Sequence, residues 1–221
     1  MPAEGAIVKN MSGSGASTGE RGLLLLADIS GYTAFLRAVS DAHGARIAAS
    51  PEPPPAYRLI TSLLDSIVEQ VAPPYTLSKL EGDAVFAYAA DAEFPLRGAS
   101  VLACLSKCYR AYRDRREATE NVITCPCAAC SMLATLELKF VLHFGDYVKQ
   151  RIAGSVELLG PDVTLAHLLL KNRVSDVIGR ASYALLTKSA IEELDVPRTD
   201  ATPHTEQYEH YPPIESFVFA L

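Results

Sequence analysis

The sequence of 221 residues has no surplus of basic side chains: 20 Lys and Arg stand against 26 Asp and Glu, for a formal net charge of −6. The shortage of positive charge disfavours nonspecific binding to duplex DNA or to an anionic membrane, since both require an excess of Lys and Arg. We therefore expect no nucleic acid and no membrane among the partners. An acidic chain can hold cations through its carboxylates, although most acidic proteins use the charge only for solubility.

Long hydrophobic runs are also lacking. Runs such as residues 23–27 have the length of a strand and fall short of the roughly 20 residues that cross a bilayer. Residues 1–21 are rich in Gly, Ser and Ala and contain no apolar signal-peptide core, which predicts a disordered tail. The sequence thus predicts a cytoplasmic protein in which residues 22–221 form a single domain.

The five cysteines cannot all be paired within the chain, because five is an odd number. A complete disulfide framework is therefore not expected. Cys125, Cys127 and Cys130 lie close together in a segment, 125–130, that interrupts the pattern of helices and strands, and such thiolates suit structural Zn²⁺, which takes four ligands. The sequence shows no clear fourth ligand; His143 is the nearest candidate. Reduced thiols in an exposed loop and a redox-sensitive pair are the alternatives.

Apolar periodicity predicts alternating strands and helices. Strands are expected at residues 22–29, 75–80, 84–89, 136–148, 152–159 and 214–221, helices at 32–39, 56–71, 95–117 and 163–172, and a strand followed by a helix at 184–194. This order predicts an α+β sandwich with helices on one face of a mainly antiparallel sheet. Residues 50–55 and 195–213 are predicted to be loops, and the last strand is predicted to be an edge strand that extends the domain at its C-terminus.

Two carboxylates stand at the ends of predicted apolar strands. Asp28 ends the most apolar strand, directly before a turn through Gly31, and Asp83 lies in a hairpin turn beside Gly82. If the hairpin packs next to the first strand, the two carboxylates meet at one sheet end, above a turn whose amides favour phosphate. That arrangement would hold two divalent ions. The alternative is that Asp28 is a helix N-cap and Asp83 a turn residue.

Four sequence motifs follow one another along the chain. They are LADISGYTAF at 26–35, KLEGDAVFAY at 79–88, HFGD at 143–146 and GSVELLGPDV–LA at 154–166. Together they resemble the catalytic homology domain of class III adenylate and guanylate cyclases, over residues 23–174. The resemblance implies a ferredoxin-like sandwich in which the ribose 3′-hydroxyl of a nucleoside triphosphate attacks the α-phosphate, forming cyclic nucleotide and pyrophosphate. The three-cysteine insertion resembles a divergent bacterial branch of this superfamily.

The resemblance implies roles for particular residues. Asp28 and Asp83 would hold two Mg²⁺ or Mn²⁺ ions, with the backbone carbonyl of Ile29 as a further ligand. Backbone amides in the turn that follows would bind the phosphates. These amides belong to Ser30, Gly31, Tyr32, Thr33 and Phe35.

The same resemblance implies which residues read the base and stabilise the transition state. Lys79 and Glu157 stand where adenylate cyclases have a Lys and an Asp that read the purine, which favours ATP. Thr164 and Leu168 replace the family's Asn and Arg, and losing one such electrostatic donor typically costs on the order of 10²–10³ in rate. Lys171, one turn further on, is expected to replace the Arg in part; the alternative is a solvated lysine at a helix end.

Class III sites form between two domains, so the resemblance implies a homodimer, or a heterodimer with a complete cyclase domain. Two functions stay open at this point. One is a nucleotidyl cyclase of reduced activity; the other is a catalytically degenerate module that binds nucleotide or metal and acts through a partner protein. A third, a small metal-binding α+β protein unrelated to cyclases, would use the two carboxylates only as caps.

Overall fold

The structure, a computed structural model, describes residues 18–49, 55–123 and 125–221, without the side chains of residues 45–49. Residues 1–17 of the expected tail and residues 50–54 of the expected loop lie outside these ranges. The described strands are β1 (Thr18–Ser30), β2 (Thr76–Glu81), β3 (Ala84–Ala90), β4 (Glu137–Ile152), β5 (Ser155–Leu159), β6 (Tyr183–Thr187), β7 (Thr202–Glu206) and β8 (Ile214–Ala220). The described α-helices are α1 (Tyr32–Ala49), α2 (Pro55–Val71), α3 (Ala99–Glu120), α4 (Ala128–Ser131), α5 (Pro161–Leu168), α6 (Val174–Ile178) and α7 (Lys188–Glu193).

These strands form one sheet in the order β2-β3-β1-β4-β6-β8-β7, and β5 pairs with the far end of β4. Neighbouring strands are antiparallel except β4 and β6, which are parallel. The predicted α+β architecture with a mainly antiparallel sheet is therefore confirmed. None of the described helices has both the length and the apolar composition needed to cross a membrane.

Helices cover both faces of this sheet, so the prediction of helices on one face is wrong. Along β1, Leu23 and Leu25 pack in the core that contains α2 and α3, whereas Leu24 and Leu26 pack in the core that contains α5. All four leucines are inaccessible to solvent. Burial on both faces explains why β1 has a continuous apolar run instead of an alternating pattern.

The start and the end of the described chain also differ from prediction. β1 begins at Thr18 and so includes four residues that were assigned to the tail. β7 lies inside the stretch 195–213 that was predicted to be a loop, and it pairs with β8, which is therefore an interior strand and not the predicted edge. The sequence of β7, TPHTE, is polar because an edge strand with largely exposed side chains needs no apolar alternation.

Candidate functional site

The hairpin between β2 and β3 brings Asp83 to the end of β1, where Asp28 lies. Asp28 is opposite Ala84 in the sheet, and the amide of Ile29 donates a hydrogen bond to the carbonyl oxygen of Asp83 at 3.3 Å. Burial, followed by the charge of Asp28, raises the pKa of Asp83 to about 6. The structure thus places the two carboxylates in one partly buried site, where like charge disfavours the ionisation of Asp83.

Lys139 on β4 supplies a positive charge to this site. Its Nζ lies 3.0 Å from Oδ2 of Asp28 and donates a hydrogen bond to the carbonyl oxygen of Leu170 at 3.1 Å. Only 16% of each side chain of the ion pair is exposed. Lys139 is not among the predicted site residues, although a lysine within a buried apolar strand requires a partner of opposite charge and is itself a signal of one.

The turn after β1 places the start of α1 next to the strand end that carries Asp28. Gly31 has a φ of +87°, and a Cβ there would lie 3.2 Å from the carbonyl oxygen of Thr135, so both backbone conformation and space favour glycine. The amide of Phe35 donates to the carbonyl oxygen of Gly31 at 3.0 Å, so it is already used within α1, contrary to the expected role. Helix geometry leaves the amides of residues 31–34 without an acceptor in the preceding turn.

Other predicted residues of this turn are placed as follows. Ser30 ends β1 opposite Glu137, and Ile29 is buried beside Asp83. Tyr32 is half-buried, and burial together with the charge of Asp83 raises its pKa, whereas Thr33 is exposed. The tyrosine hydroxyl therefore lies close enough to Asp83 to be affected by its charge.

The donor set at this end of the sheet fits a divalent cation. Carboxylate and carbonyl oxygens are the hard ligands that Mg²⁺ prefers, and Asp28, Asp83 and Ile29 would provide them. Burial and the charge of Asp28 raise the pKa of Asp83, so additional positive charge would favour its ionised form. Lys139 already neutralises part of that charge, so a metal ion and this lysine would compete for Asp28.

Lys79 and Glu157 form a second ionic site, between β2 and β5. The Nζ of Lys79 lies 3.0 Å from Oε2 of Glu157 and 3.3 Å from Oε1 of Glu81. The hydrogen bond with Glu157 is the main cause that raises the pKa of Lys79, so the lysine stays charged. Together with Tyr88, the pair lines a cleft of about 330 Å³. One donor and one acceptor therefore stand side by side at an open cleft.

α5 separates the two ionic sites within one chain. Phe86 on β3 is opposite Lys79 on one side and Leu26 of β1 on the other. The ring of His167 packs edge-on against Phe86, with 4.8 Å between centroids, and its Nε2 lies 2.9 Å from Oε2 of Glu81. The structure brings Asp28 to Asp83 and Lys79 to Glu157, but His167 lies over the strand between the two pairs.

The residues predicted to stabilise the transition state lie on and after α5. Thr164 is exposed, and its hydroxyl donates back to the carbonyl oxygen of Gly160 at 3.3 Å. Leu168 is the last residue of α5 and is half-buried. Lys171 is exposed at the end of the 3₁₀ turn Leu169–Lys171. It follows directly on Leu170, the residue whose carbonyl holds Lys139.

His143 belongs to a structural contact between β4 and α5. Its Nδ1 lies 3.0 Å from the hydroxyl of Thr187 and its Nε2 lies 3.2 Å from Oδ1 of Asp162. Oδ2 of Asp162 accepts a hydrogen bond from the amide of Asp146 at 2.7 Å, and a Cβ on Gly145 would lie 2.4 Å from Cγ of Asp162. Since both ring nitrogens are engaged and the histidine is buried, the prediction of His143 as a zinc ligand is wrong.

The three cysteines of the insertion lie together, and the histidine beside them is His43 of α1. Burial disfavours ionisation of Cys127, but hydrogen bonds from the amide of Cys130 and from His43 lower its pKa to about 6. Burial and contact with Cys127 and Cys125 raise the pKa of Cys130 to about 12. His43 precedes Cys125 by 82 residues, so no spacing pattern could have identified it.

Sequence comparisons find relatives of this chain. A family model described as "Protein of unknown function (DUF2652)" matches residues 60–177. A protein of Mycobacterium tuberculosis (strain ATCC 25618 / H37Rv), described as "Uncharacterized protein Rv2561/Rv2562", is 35% identical over 153 residues, which are 68% of this chain and 68% of that protein.

Solved structures with a similar fold are nucleotidyl cyclases. The adenylyl cyclase CyaB from P. aeruginosa has a TM-score of 0.62 at 13% identity, over 92% of this chain and 95% of that chain. The guanylyl cyclase Cya2 has a TM-score of 0.58 at 13% identity, over 93% of each chain. The catalytic core of a rhodopsin-guanylyl cyclase with converted specificity, in complex with ATPαS, has a TM-score of 0.52 at 13% identity, over 93% of this chain and 99% of that chain. At these identities the likeness shows the fold alone. The chain belongs to the DUF2652 family, and its fold is that of adenylyl and guanylyl cyclase domains.

Proposed function

We propose that this chain is a cyclase-like domain that binds a nucleoside triphosphate, preferentially ATP, with two Mg²⁺ or Mn²⁺ ions and converts it slowly to cyclic nucleotide and pyrophosphate. The main support for the proposal is that Asp28 and Asp83 lie close together at one end of the sheet, beside the turn that precedes α1. Bound metal would supply the positive charge that activates the ribose 3′-hydroxyl and neutralises the triphosphate.

The start of α1 is suited to orient the phosphates. The amides of residues 31–34 have no acceptor in a preceding helical turn, and α1 is 18 residues long. Aligned peptide dipoles place partial positive charge at this end of the helix, which favours an anion. The phosphates would therefore lie between these amides and the carboxylate pair.

Lys79 and Glu157 are proposed to select the base. The lysine donates hydrogen bonds and the ionised glutamate only accepts them. On adenine this pattern matches a ring nitrogen that accepts and an exocyclic amine that donates. The cleft beside Tyr88 supplies an aromatic ring near the base.

Two chains are proposed to complete each site, because His167 lies between the base-reading pair and the carboxylate pair of one chain. The strands around Lys79 also carry most of the large hydrophobic side chains that are exposed in the described part of the chain. Of the seven large hydrophobic side chains exposed among the described residues, five lie on β2, on β5 and at the adjoining end of β4. They are Leu77, Leu80, Ile152, Val156 and Leu159. We propose that a second copy, or a complete cyclase domain, packs against this surface.

The proposed rate of cyclic nucleotide formation is slow because α5 lacks side chains that stabilise an anion. Leu168 cannot stabilise an anion, and Thr164 offers one hydroxyl that is already bonded to Gly160. Loss of one electrostatic donor typically lowers the rate on the order of 10²–10³-fold. Lys171 is proposed to compensate in part, since it is exposed and follows directly on the residue that anchors Lys139.

The ion pair of Lys139 with Asp28 favours a second candidate, a module that binds nucleotide or metal without turnover and acts through a partner protein. A lysine that already neutralises Asp28 reduces the need for a metal ion in the resting domain. In this candidate, ligand binding would act by displacing the lysine from the carboxylate.

The test is incubation of the pure protein with ATP, GTP, CTP or UTP and Mn²⁺ or Mg²⁺, followed by quantification of cyclic nucleotide. We expect product from ATP that disappears in Asp28→Asn and in Asp83→Asn. Asp200→Asn, which removes an exposed carboxylate from a loop, is the matched control and should keep the activity. Nucleotide binding that depends on Asp28 without any product would support the non-catalytic module, and absence of both binding and product would refute both candidates.

A further inference from the structure

A separate cluster of metal-ligating side chains lies where α1 contacts the segment between α3 and β4. The Nε2 of His43 is 3.2 Å from the Sγ of Cys127 and 3.9 Å from the Sγ of Cys125. These three donor atoms all lie within 4.8 Å of one another, and the three residues are partly buried. The cluster consists of side chains that the proposed nucleotide site does not use.

The separations match those of a tetrahedral zinc site. With Zn–S bonds of about 2.3 Å and Zn–N bonds of about 2.0–2.1 Å, neighbouring ligand atoms lie about 3.5–3.8 Å apart. The distances from His43 to the two sulfurs, 3.2 Å and 3.9 Å, lie on either side of that range. Small adjustments of side chains would therefore be enough to admit the ion.

Cys130 is the candidate for the fourth ligand, although its Sγ does not belong to the group of three mutually close donor atoms and would have to turn toward them. Cys127 caps the short helix α4, and its Sγ accepts a hydrogen bond from the amide of Cys130 at 3.4 Å. Cys125, Cys127 and Cys130 line one cavity of about 180 Å³. By contrast, Cys108 is buried in the hydrophobic core, where a thiol has an ordinary apolar role.

We propose that His43, Cys125, Cys127 and Cys130 bind one structural Zn²⁺ ion. Four protein ligands leave no open position for substrate, so the ion holds chain segments together and takes no part in phosphoryl chemistry. It connects α1, the helix that starts at the Gly31 turn, to the segment that leads into β4. The proposal does not depend on nucleotide binding, because its readout is metal content and not activity.

The first test is zinc content, measured by mass spectrometry on the full chain purified without chelators. We expect about one zinc per chain, and loss of that zinc in His43→Gln and in Cys127→Ser. The matched controls are His210→Gln, which changes a histidine with 84% of its side chain exposed, and Cys104→Ser, which changes a cysteine on α3. Both controls should retain zinc. Wild-type protein that stays free of zinc after incubation with the ion, or controls that lose it equally, would overturn the proposal.

A second measurement separates ligand loss from misfolding. Cobalt replaces zinc in the wild-type protein, and thiolate-to-cobalt charge-transfer absorption reports how many sulfurs bind. We expect an intensity that corresponds to three thiolates, reduced by about one third in Cys130→Ser, with unchanged far-ultraviolet circular dichroism. Folded protein without this absorption, or with a disulfide among the three cysteines under reducing purification, would contradict the assignment.

Discussion

Lys139 and Asp28 are paired across β4 and β1, with 3.0 Å between Nζ and Oδ2, so the carboxylate proposed to bind metal already has a cationic partner within its own chain. The hydrogen bond from Lys139 to the carbonyl of Leu170 holds the lysine in place. Metal binding at Asp28 therefore has to compete with an ammonium group positioned by two contacts.

Replacing Lys139 should reveal the competition. In Lys139→Met, Asp28 and Asp83 lose their nearby cation, so we expect the free energy of unfolding in EDTA to fall by about 1–3 kcal/mol. Saturating Mn²⁺ should restore more stability to the variant than to wild type. Urea unfolding with and without Mn²⁺ measures both effects.

Lys188→Met is the matched control for this substitution, because its ion pair with Glu215 is exposed and contributes about 0–1 kcal/mol. An equal Mn²⁺ response in wild type and Lys139→Met would show that the lysine does not compete with metal.

The raised pKa of Asp83 predicts a pH-dependent stability. Because the pKa rises from 3.8 to about 6 on folding, the folded protein binds more protons than the unfolded chain between these values. The contribution of this group to the free energy of unfolding therefore falls as the pH rises from about 4 to 6, and stays low above that. Asp83→Asn should remove the penalty, so we expect the variant to be roughly 1–3 kcal/mol more stable than wild type near pH 7.5, after allowance for partial exposure, and nearly equal near pH 4.

Urea unfolding in EDTA at both pH values tests this, with Asp200→Asn as the exposed control. A variant that is less stable than wild type near pH 7.5 would mean that ionised Asp83 stabilises the fold.

Two glycines of β1 predict contrasting effects of the same substitution. A Cβ at Gly22 would lie 2.1 Å from the carbonyl oxygen of Ala89 on β3, so Gly22→Ala should destabilise the protein by about 3 kcal/mol. At Gly19 a Cβ would have no neighbour within 4 Å, so Gly19→Ala should be neutral or stabilising by about 0.5 kcal/mol. Thermal unfolding compares the two; similar midpoints would contradict the close approach of β1 and β3.

Restoring an arginine at the end of α5 should increase turnover if the proposed cyclase function is right. We expect Leu168→Arg, in the background of Thr164→Asn, to raise the rate of cyclic nucleotide formation on the order of 10²-fold, since an anion-stabilising donor returns. Val177→Arg adds the same side chain at an exposed position on α6 and should leave the rate unchanged. Equal rates in the two variants would place position 168 outside the reacting centre.

Sequence patterns predicted the parts of the fold that depend on local periodicity. The apolar run of β1 and the EGD turn before Ala84 are local signals, and they place Asp28 and Asp83 at neighbouring strand ends. The partners of Lys139 and His43 could not be identified from the sequence, because each pair forms between distant segments of the chain. Apolar periodicity identifies buried side chains, but it does not identify which charged residues form ion pairs.

The polar strand β7 and the second helical layer were missed for related reasons. Strand prediction relies on apolar alternation, which an exposed edge strand does not need. The apolar run of β1 correctly indicated burial on both faces, yet the coarse order of elements was interpreted as one layer of helices. α5 supplies the second layer, because Leu165 and Ala166 pack with Leu24 and Leu26.

The contact of Asp162 with Gly145 has a consequence for how relatives of this chain can be classified. Asp162 binds the amide of Asp146 and lies so close to Gly145 that any larger residue there would collide with it. The motifs HFGD and GPD thus hold α5 against β4, and this packing alone is a sufficient reason for Gly145 and Asp162. A relative with or without turnover would need the same packing. Under the proposed function, relatives with and without turnover would therefore be told apart by the residues proposed to surround the anion, such as those at positions 164 and 168.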